Sequence, residues 1–209
     1  MMKGELDMSK KCIITISRQY GSGGRIVGKK LAELLKIPFY DKEIITMAAK
    51  ESGYAEETFE RAADAATHSL LYSLSMYGSG MGFSGLSLND KVFLIQSEII
   101  QKAALNSCVI VGRCADYVLR KEKNCIHFFI YSDIDSRVHR ATTEYGLAEE
   151  KAKEVILKKD KRRASYYAYY TGEKWGQIDR YDLAINSDSI GVDETVAVLG
   201  QYVQAWKKR

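Results

Sequence analysis

The segment 13–35, IITISRQYGSGGRIVGKKLAELL, reads as an apolar strand, a glycine turn and an amphipathic helix. That order builds an anion site, because successive backbone N–H groups and the positive end of the helix converge where the strand stops. Glycine suits the turn, since it takes unusual φ values without steric cost and lets an oxygen approach the backbone. Gly21, Ser22, Gly23 and Gly24 are followed at once by Arg25, more glycine than a plain connection requires. The run departs from the G-x-x-x-x-G-K-[ST] phosphate loop. With Gly23 as the second glycine, Arg18 stands at the first, Gly24 at the lysine and Arg25 at the hydroxyl; shifted by one, Arg25 takes the lysine position and Ile26 the hydroxyl. The apolar phase of the helix favours the first register. In both the lysine is missing, so Arg18 or Arg25 must bring the cation, and a guanidinium can grip phosphate bidentately. Ser22 is the remaining hydroxyl for a divalent cation.

Other residues fit chemistry of the same kind. Arg113 directly follows the apolar run 108–112, which places a cation at a strand end. Arg137, Arg140, Arg162 and Arg163 lie in charged helical stretches. Read from the sequence alone they line a solvated face, with ion pairs to Asp135 or Glu144 for the first two. Tyr166, Tyr167, Tyr169, Tyr170 and Trp175 could stack a base, but core packing or a contact in a homodimer suits them better. His68, His127 and His139 show no metal-ligand spacing, and no Ser/His/Asp or Cys/His arrangement is visible.

The elements that must position these residues are legible in the apolar pattern. Runs at 12–17, 37–41, 108–112, 126–131 and 182–186 are continuous rather than alternating, as in strands buried on both faces of a parallel sheet. Between them, 28–36, 91–105, 147–170 and 192–206 carry helical spacing. Strands alternating with helices imply an α/β layer fold with right-handed crossovers. Pro38, the single proline, opens the second run, where a missing N–H does little harm. Gly172 is placed to cap the long charged helix. The glycine- and serine-rich stretch 73–89 breaks the rhythm and reads as a surface loop or a flap beside a pocket. No internal repeat or interdomain linker appears. The expected organisation is a short mobile tail, 1–11, and one domain, 12–209.

Composition sets limits. The chain has 209 residues, 46% hydrophobic and 28% charged, with a net charge of +4, the balance of a globular domain. That surplus is too small to imply a nucleic-acid partner. No apolar run approaches the roughly 18 residues of a membrane span. The four cysteines form no CxxC pair and fit buried thiols in a reduced cytoplasm.

In chain order, these segments resemble the cytidylate kinase group of nucleoside monophosphate kinases, and more closely its cytidylate-kinase-like branch. The likeness runs from Cys12 to Tyr202. It rests on the turn and its helix, FYD at 39–41, VIVGR at 109–113, DSRVHR at 135–140, KDKRR at 159–163 and DLAINS at 182–187. Two departures stand out: the loop lysine is absent, and the family's Gly-Arg-Asp is here Gly112-Arg113-Cys114, with Asp116 two residues on.

The resemblance implies a three-layer P-loop kinase fold, a five-stranded parallel sheet flanked by helices, with a helical lid over about 133–172. It implies ATP held by Arg18, Gly21, Ser22, Gly23, Gly24 and Arg25, with Asn186 near the adenine and Mg²⁺ bridging the phosphates. Tyr40, Asp41, Arg113 and Asp116 would hold the acceptor, CMP or dCMP. Arg113, Arg137, Arg140, Asp160, Arg162 and Arg163 would carry the transfer, with no protein metal ligand. Two alternatives stay open: a kinase of another small acceptor, and a nucleotide-binding regulatory module without transfer activity.

Overall fold

The computed structural model describes residues 10–59 and 86–209. Ten and eleven are therefore all that is described of the expected tail, and most of the stretch 73–89 lies outside the described residues. In chain order the elements are β1 (Ile13–Arg18), α1 (Gly24–Leu35), β2 (Phe39–Tyr40), α2 (Glu43–Ser52), α3 (Leu88–Ala103), β3 (Cys108–Val111), α4 (Ala115–Val118), β4 (Cys125–Tyr131), α5 (Ile134–Thr143), α6 (Glu149–Thr171), β5 (Leu183–Asn186) and α7 (Ser187–Lys207).

The strands form one sheet in the order β2-β3-β1-β4-β5, every pair parallel. β1 lies at its centre, with Ile14 opposite Val109 on one side and Ile126 on the other. Because both faces are covered, Ile13 to Ser17 are all buried, the hydroxyls of Thr15 and Ser17 included, and the pleat divides the isoleucines between the two layers. Ile13 joins Ile44 and Ala48 of α2 and Ile99 and Ile100 of α3. Ile14 and Ile16 join Val27 and Leu31 of α1 and Leu199 and Val203 of α7. Each of the fully buried Ile, Val and Leu side chains among them contributes about 1.5–3 kcal/mol, so the three layers are held from both sides of the sheet.

Several boundaries differ from the sequence pattern for identifiable reasons. β2 shrinks from the expected 37–41 to Phe39–Tyr40. Ile37 N–H still bonds Ala32 at the end of α1, and Asp41 N–H turns away to Glu43 Oε2 (2.8 Å). α1 starts at Gly24, directly on the glycine turn, and α7 starts at Ser187, with a kink where Gly191 takes φ 81°. α6 ends against Gly172 at φ 71°, a left-handed cap that glycine adopts readily. α3 begins with Ser87, whose Oγ accepts from Asp90 N–H. Cys12, Cys108, Cys114 and Cys125 are buried free thiols, and burial pushes Cys12 up to about 11 and Cys108 up to about 12. Among the described residues no helix is long and apolar enough to cross a membrane.

Candidate active site

The C-terminal ends of the strands converge on the β1–α1 turn, the position at which open parallel sheets bind ligands. Gly21 at φ 84° and Gly23 at φ 74° bend the chain there. Every carbonyl from Arg18 to Gly23 is occupied. Arg163 donates to Arg18 O (3.0 Å), the Ser22 hydroxyl to Gln19 O (2.9 Å), Arg137 Nε to Tyr20 O (2.7 Å) and Arg140 to Gly21 O (2.8 Å). The Ser187 hydroxyl bonds Ser22 O (2.6 Å), and Val27 N–H bonds Gly23 O (2.9 Å). The amides of Gly21, Gly23, Gly24, Arg25 and Ile26, by contrast, find no acceptor among the described residues. α1 has no capping side chain and no acid in its first turn. A helix start left in this condition is an anion cradle.

Helices α5 and α6, which span the expected lid, supply three of those carbonyl bonds. Asp160 accepts from Tyr20 N–H (2.7 Å), pairs with Arg137 and lies 3.4 Å from Arg163. A Cβ on Gly21 would come within 2.8 Å of Arg137 O, so the turn and α5 are in direct contact. Arg140 also pairs with Glu144 (3.5 Å).

Beside the turn, a cleft of about 210 Å³ opens between the ends of β1 and β3 and the lid. Arg18, Arg113, Lys159, Arg162 and Arg163 line it, together with Tyr166, Tyr167 and Trp175. Its floor turns on three consecutive left-handed residues: Gly112 (φ 76°), Arg113 (φ 59°) and Cys114 (φ 54°). For Arg113 and Cys114 that conformation costs roughly 1–2 kcal/mol each. Such strain concentrates at functional sites. Arg113 has no carboxylate partner among the described residues.

Arg18 reaches the cleft through a notch of two glycines. A Cβ on Gly24 would lie 2.6 Å from Arg18 Cβ, and one on Gly112 would overlap Arg18 Nη1. Burial, aided by Arg163, pushes its pKa down to about 9 against the pull of Asp41, so it remains charged at neutral pH. Arg25 turns the other way. Its Nε donates to Asp41 Oδ2 (2.5 Å), and it lines an outer surface with Lys29 and Phe39 rather than the cleft.

The remaining expected site residues fall around this centre. Asp41 is buried under Arg25 and Arg18 (3.8 Å), and Tyr40 packs into the core beside it. Asp116 is buried behind the cleft wall, where Tyr167 OH donates to its Oδ2 (3.1 Å) and its Oδ1 has no partner. Burial raises its pKa, with the Tyr167 bond opposing. Asn186 caps α7 through Asp188 N–H (3.0 Å), next to a hollow of about 340 Å³ between α5 and α7 lined by His139, Arg140, Thr143 and Asp188. Tyr166 and Tyr170 pack on Phe93 of α3, with Phe93 and Tyr170 stacked at 4.0 Å, and Trp175 meets Phe129 edge-on.

Sequence reasoning placed 17–25 at the crevice and Ser187 in the segment near the adenine, but gave no role of their own to Tyr20, Ser187 or Ser17, which lines the cleft. Ser187 directly follows Asn186 in a segment already marked as near the nucleotide, so its place was within reach. Tyr20's role is carried by its peptide group, which leaves no trace in residue type.

ATP fits the cradle by its phosphates. The Ser22 hydroxyl donates to backbone carbonyls, and Asp41 and Asp160 are paired with arginines. Among the described residues no group of three or more metal-ligating side chains converges.

A family model, "Cytidylate kinase-like family", matches residues 13–189. Among solved structures, an uncharacterized protein from Eubacterium ventriosum ATCC 27560 is 30% identical with a TM-score of 0.70, covering 92% of this chain and 98% of that one. Shikimate kinase from Acinetobacter baumannii, in complex with shikimate, is 13% identical with a TM-score of 0.53, over 97% of both chains. Shikimate kinase from Bacteroides thetaiotaomicron is 13% identical with a TM-score of 0.53, over 93% of this chain and 99% of that one. At that identity the likeness is one of fold. No curated protein matches the sequence.

Proposed function

The chain belongs to the cytidylate kinase-like family, and from that premise we propose that it moves the γ-phosphate of ATP to a nucleoside monophosphate, CMP or dCMP. The observation that carries the nucleotide half is the division of the β1–α1 turn. Its carbonyls are bound to protein, while the amides of Gly21 and Gly23 to Ile26 are left to donate. Phosphate oxygens are the acceptors such a cradle fits.

ATP would supply the γ-phosphoryl group, and magnesium bound with it would offset the charge of its phosphates. The turn holds the β-phosphate by backbone N–H groups. The hollow between α5 and α7 takes the nucleoside, with Asn186 at its edge. The acceptor lies in the cleft, its phosphate on Arg113, under Arg162, Arg163 and Lys159 of the expected lid. Phosphoryl transfer asks the protein for alignment and for cations around developing charge, and a closed lid keeps water from taking the phosphoryl group. Arg18, half-buried where the turn meets the cleft, takes the place of the missing loop lysine on ATP. The reading includes a protein that works in the cytoplasm and a homodimer as its assembly.

A second reading, a kinase of another small anionic acceptor, is favoured by the cleft itself. Among its described lining residues there are five cations and no carboxylate or amide side chain to read a base edge. Cys114 stands where the family places an aspartate.

Amide resonances during an ATP titration test the nucleotide half. Gly21, Gly23, Gly24 and Arg25 are expected to shift most; saturation with those signals unmoved would remove the turn as the phosphate site.

A further inference from the structure

The glycines that let the turn approach a phosphate also leave it with little intrinsic shape, so its conformation must be imposed from outside. At the Tyr20 peptide it is imposed on both edges. Tyr20 N–H donates to Asp160 Oδ1 (2.7 Å), and Tyr20 O accepts Arg137 Nε (2.7 Å). Arg137 Nη2 is in turn paired with Asp160 Oδ2. These contacts close a ring through a strand-end peptide, an α5 side chain and an α6 side chain that lie 117 and 140 residues away in sequence.

The ring leaves its members little capacity for anything else. Arg137 is buried, and its Nε and Nη2 are both engaged. Both Asp160 oxygens are engaged, with Arg163 as a further partner at 3.4 Å. Above the ring, Lys159 and Arg163 stand over the Tyr20 aromatic face at 4.7 and 5.5 Å, and Tyr145 packs against its edge at 5.6 Å. A phosphate drawn to Arg137 would have to displace a buried carboxylate, a poor exchange in a low-dielectric site.

Resting on the reading that the turn binds ATP phosphates, we infer that Asp160 and Arg137 are positioning residues. They hold the Tyr20 peptide so that the amides from Gly21 onward stay aimed at the nucleotide, and they do not touch the transferring group. The lid therefore builds the phosphate loop, a task that the sequence of the loop, lacking its lysine, does not do alone.

Calorimetric titration of the full chain with MgATP, and separately with CMP, tests this on Asp160→Asn, Arg137→Lys and the double variant. Asparagine keeps the shape and one acceptor but loses the charge that pairs with Arg137. Lysine keeps the charge but cannot bridge both partners, and it carries the test if Asp160→Asn does not fold. Each single change is expected to weaken MgATP by about tenfold, with CMP unchanged. The double variant should be no weaker than the weaker single one, since one ring is broken either way. Unaltered MgATP affinity beside a lowered melting temperature would show a merely structural role. A loss confined to CMP would place Asp160 on the acceptor, and additive losses would deny the ring; each overturns the inference. If the unaltered protein fails to bind MgATP, the nucleotide reading falls and takes the inference with it. If it binds and the variants bind equally, only the inference falls.

Discussion

Two glycine-bearing turns sit side by side at the ends of β1 and β3, and they are held in opposite ways. The β1 turn has every carbonyl from Arg18 to Gly23 bonded, much of it by arginines of the lid. The β3 turn instead runs through three left-handed residues, two of them not glycine, and presents an arginine with no carboxylate partner among the described residues. In the first turn the cations are consumed in shaping the backbone, and amides remain for the ligand. In the second the backbone is strained to deliver a cation. On the proposed reading, one arginine-rich sequence yields two anion sites of different chemistry, a dipolar cradle for a polyphosphate and a charged seat for an acceptor's phosphate.

The largest expected effect breaks the β3 turn. Gly112→Ala puts a Cβ onto Arg18 Nη1 at a φ of 76°. It should cost roughly 2–4 kcal/mol in urea unfolding, and a loss within experimental error would show that the notch is loose. Next, Arg113→Ala should weaken acceptor use by roughly 1.5–3 kcal/mol, the worth of a charged hydrogen bond, while MgATP binding holds. Equal losses on both ligands would erase the distinction between the turns.

A smaller effect concerns the cleft's rear wall. Burial raises the Asp116 pKa, so between the ordinary carboxylate range and that raised value the folded state binds more protons than the unfolded one. Stability is therefore lost as pH rises through that window and regained as it falls. Asp116→Asn should flatten this slope, so that its effect on the melting temperature becomes more stabilising as pH rises through the window. A slope unchanged by the substitution would show that another group sets it. The smallest effect is expected for Arg25→Ala. Arg25's side chain is 58% exposed and paired with Asp41, so MgATP affinity should move by less than about 1 kcal/mol. A larger loss would bring Arg25 into the phosphate cradle.

The fold was largely legible because its strands are apolar on both faces. Ile13 to Ile16 and Cys108 to Val111 are buried throughout, as continuous runs in central parallel strands are. Ends were less so: β2 is short because neighbouring backbone groups of Ile37 and Asp41 are drawn elsewhere. The glycine turn, Arg113 and the lid arginines could be picked out by type and position. What they do could not, because a guanidinium that binds a phosphate and one that binds a carbonyl look alike in a sequence. Arg137 meets Tyr20 across 117 residues, and nothing local to either announces it. Arg18 was readable as a cation near the turn, but its path between Gly24 and Gly112 depends on two strand ends lying side by side.

The most direct measurement is ADP release from MgATP by the purified protein, with CMP, dCMP, UMP, AMP and GMP in parallel and an acceptor-free control. ADP formed only when CMP or dCMP is present is the expected result, and it would show that an arginine-supported loop without its lysine sustains transfer. No ADP with any of the five, in a protein that binds ATP, would contradict transfer to a nucleoside monophosphate.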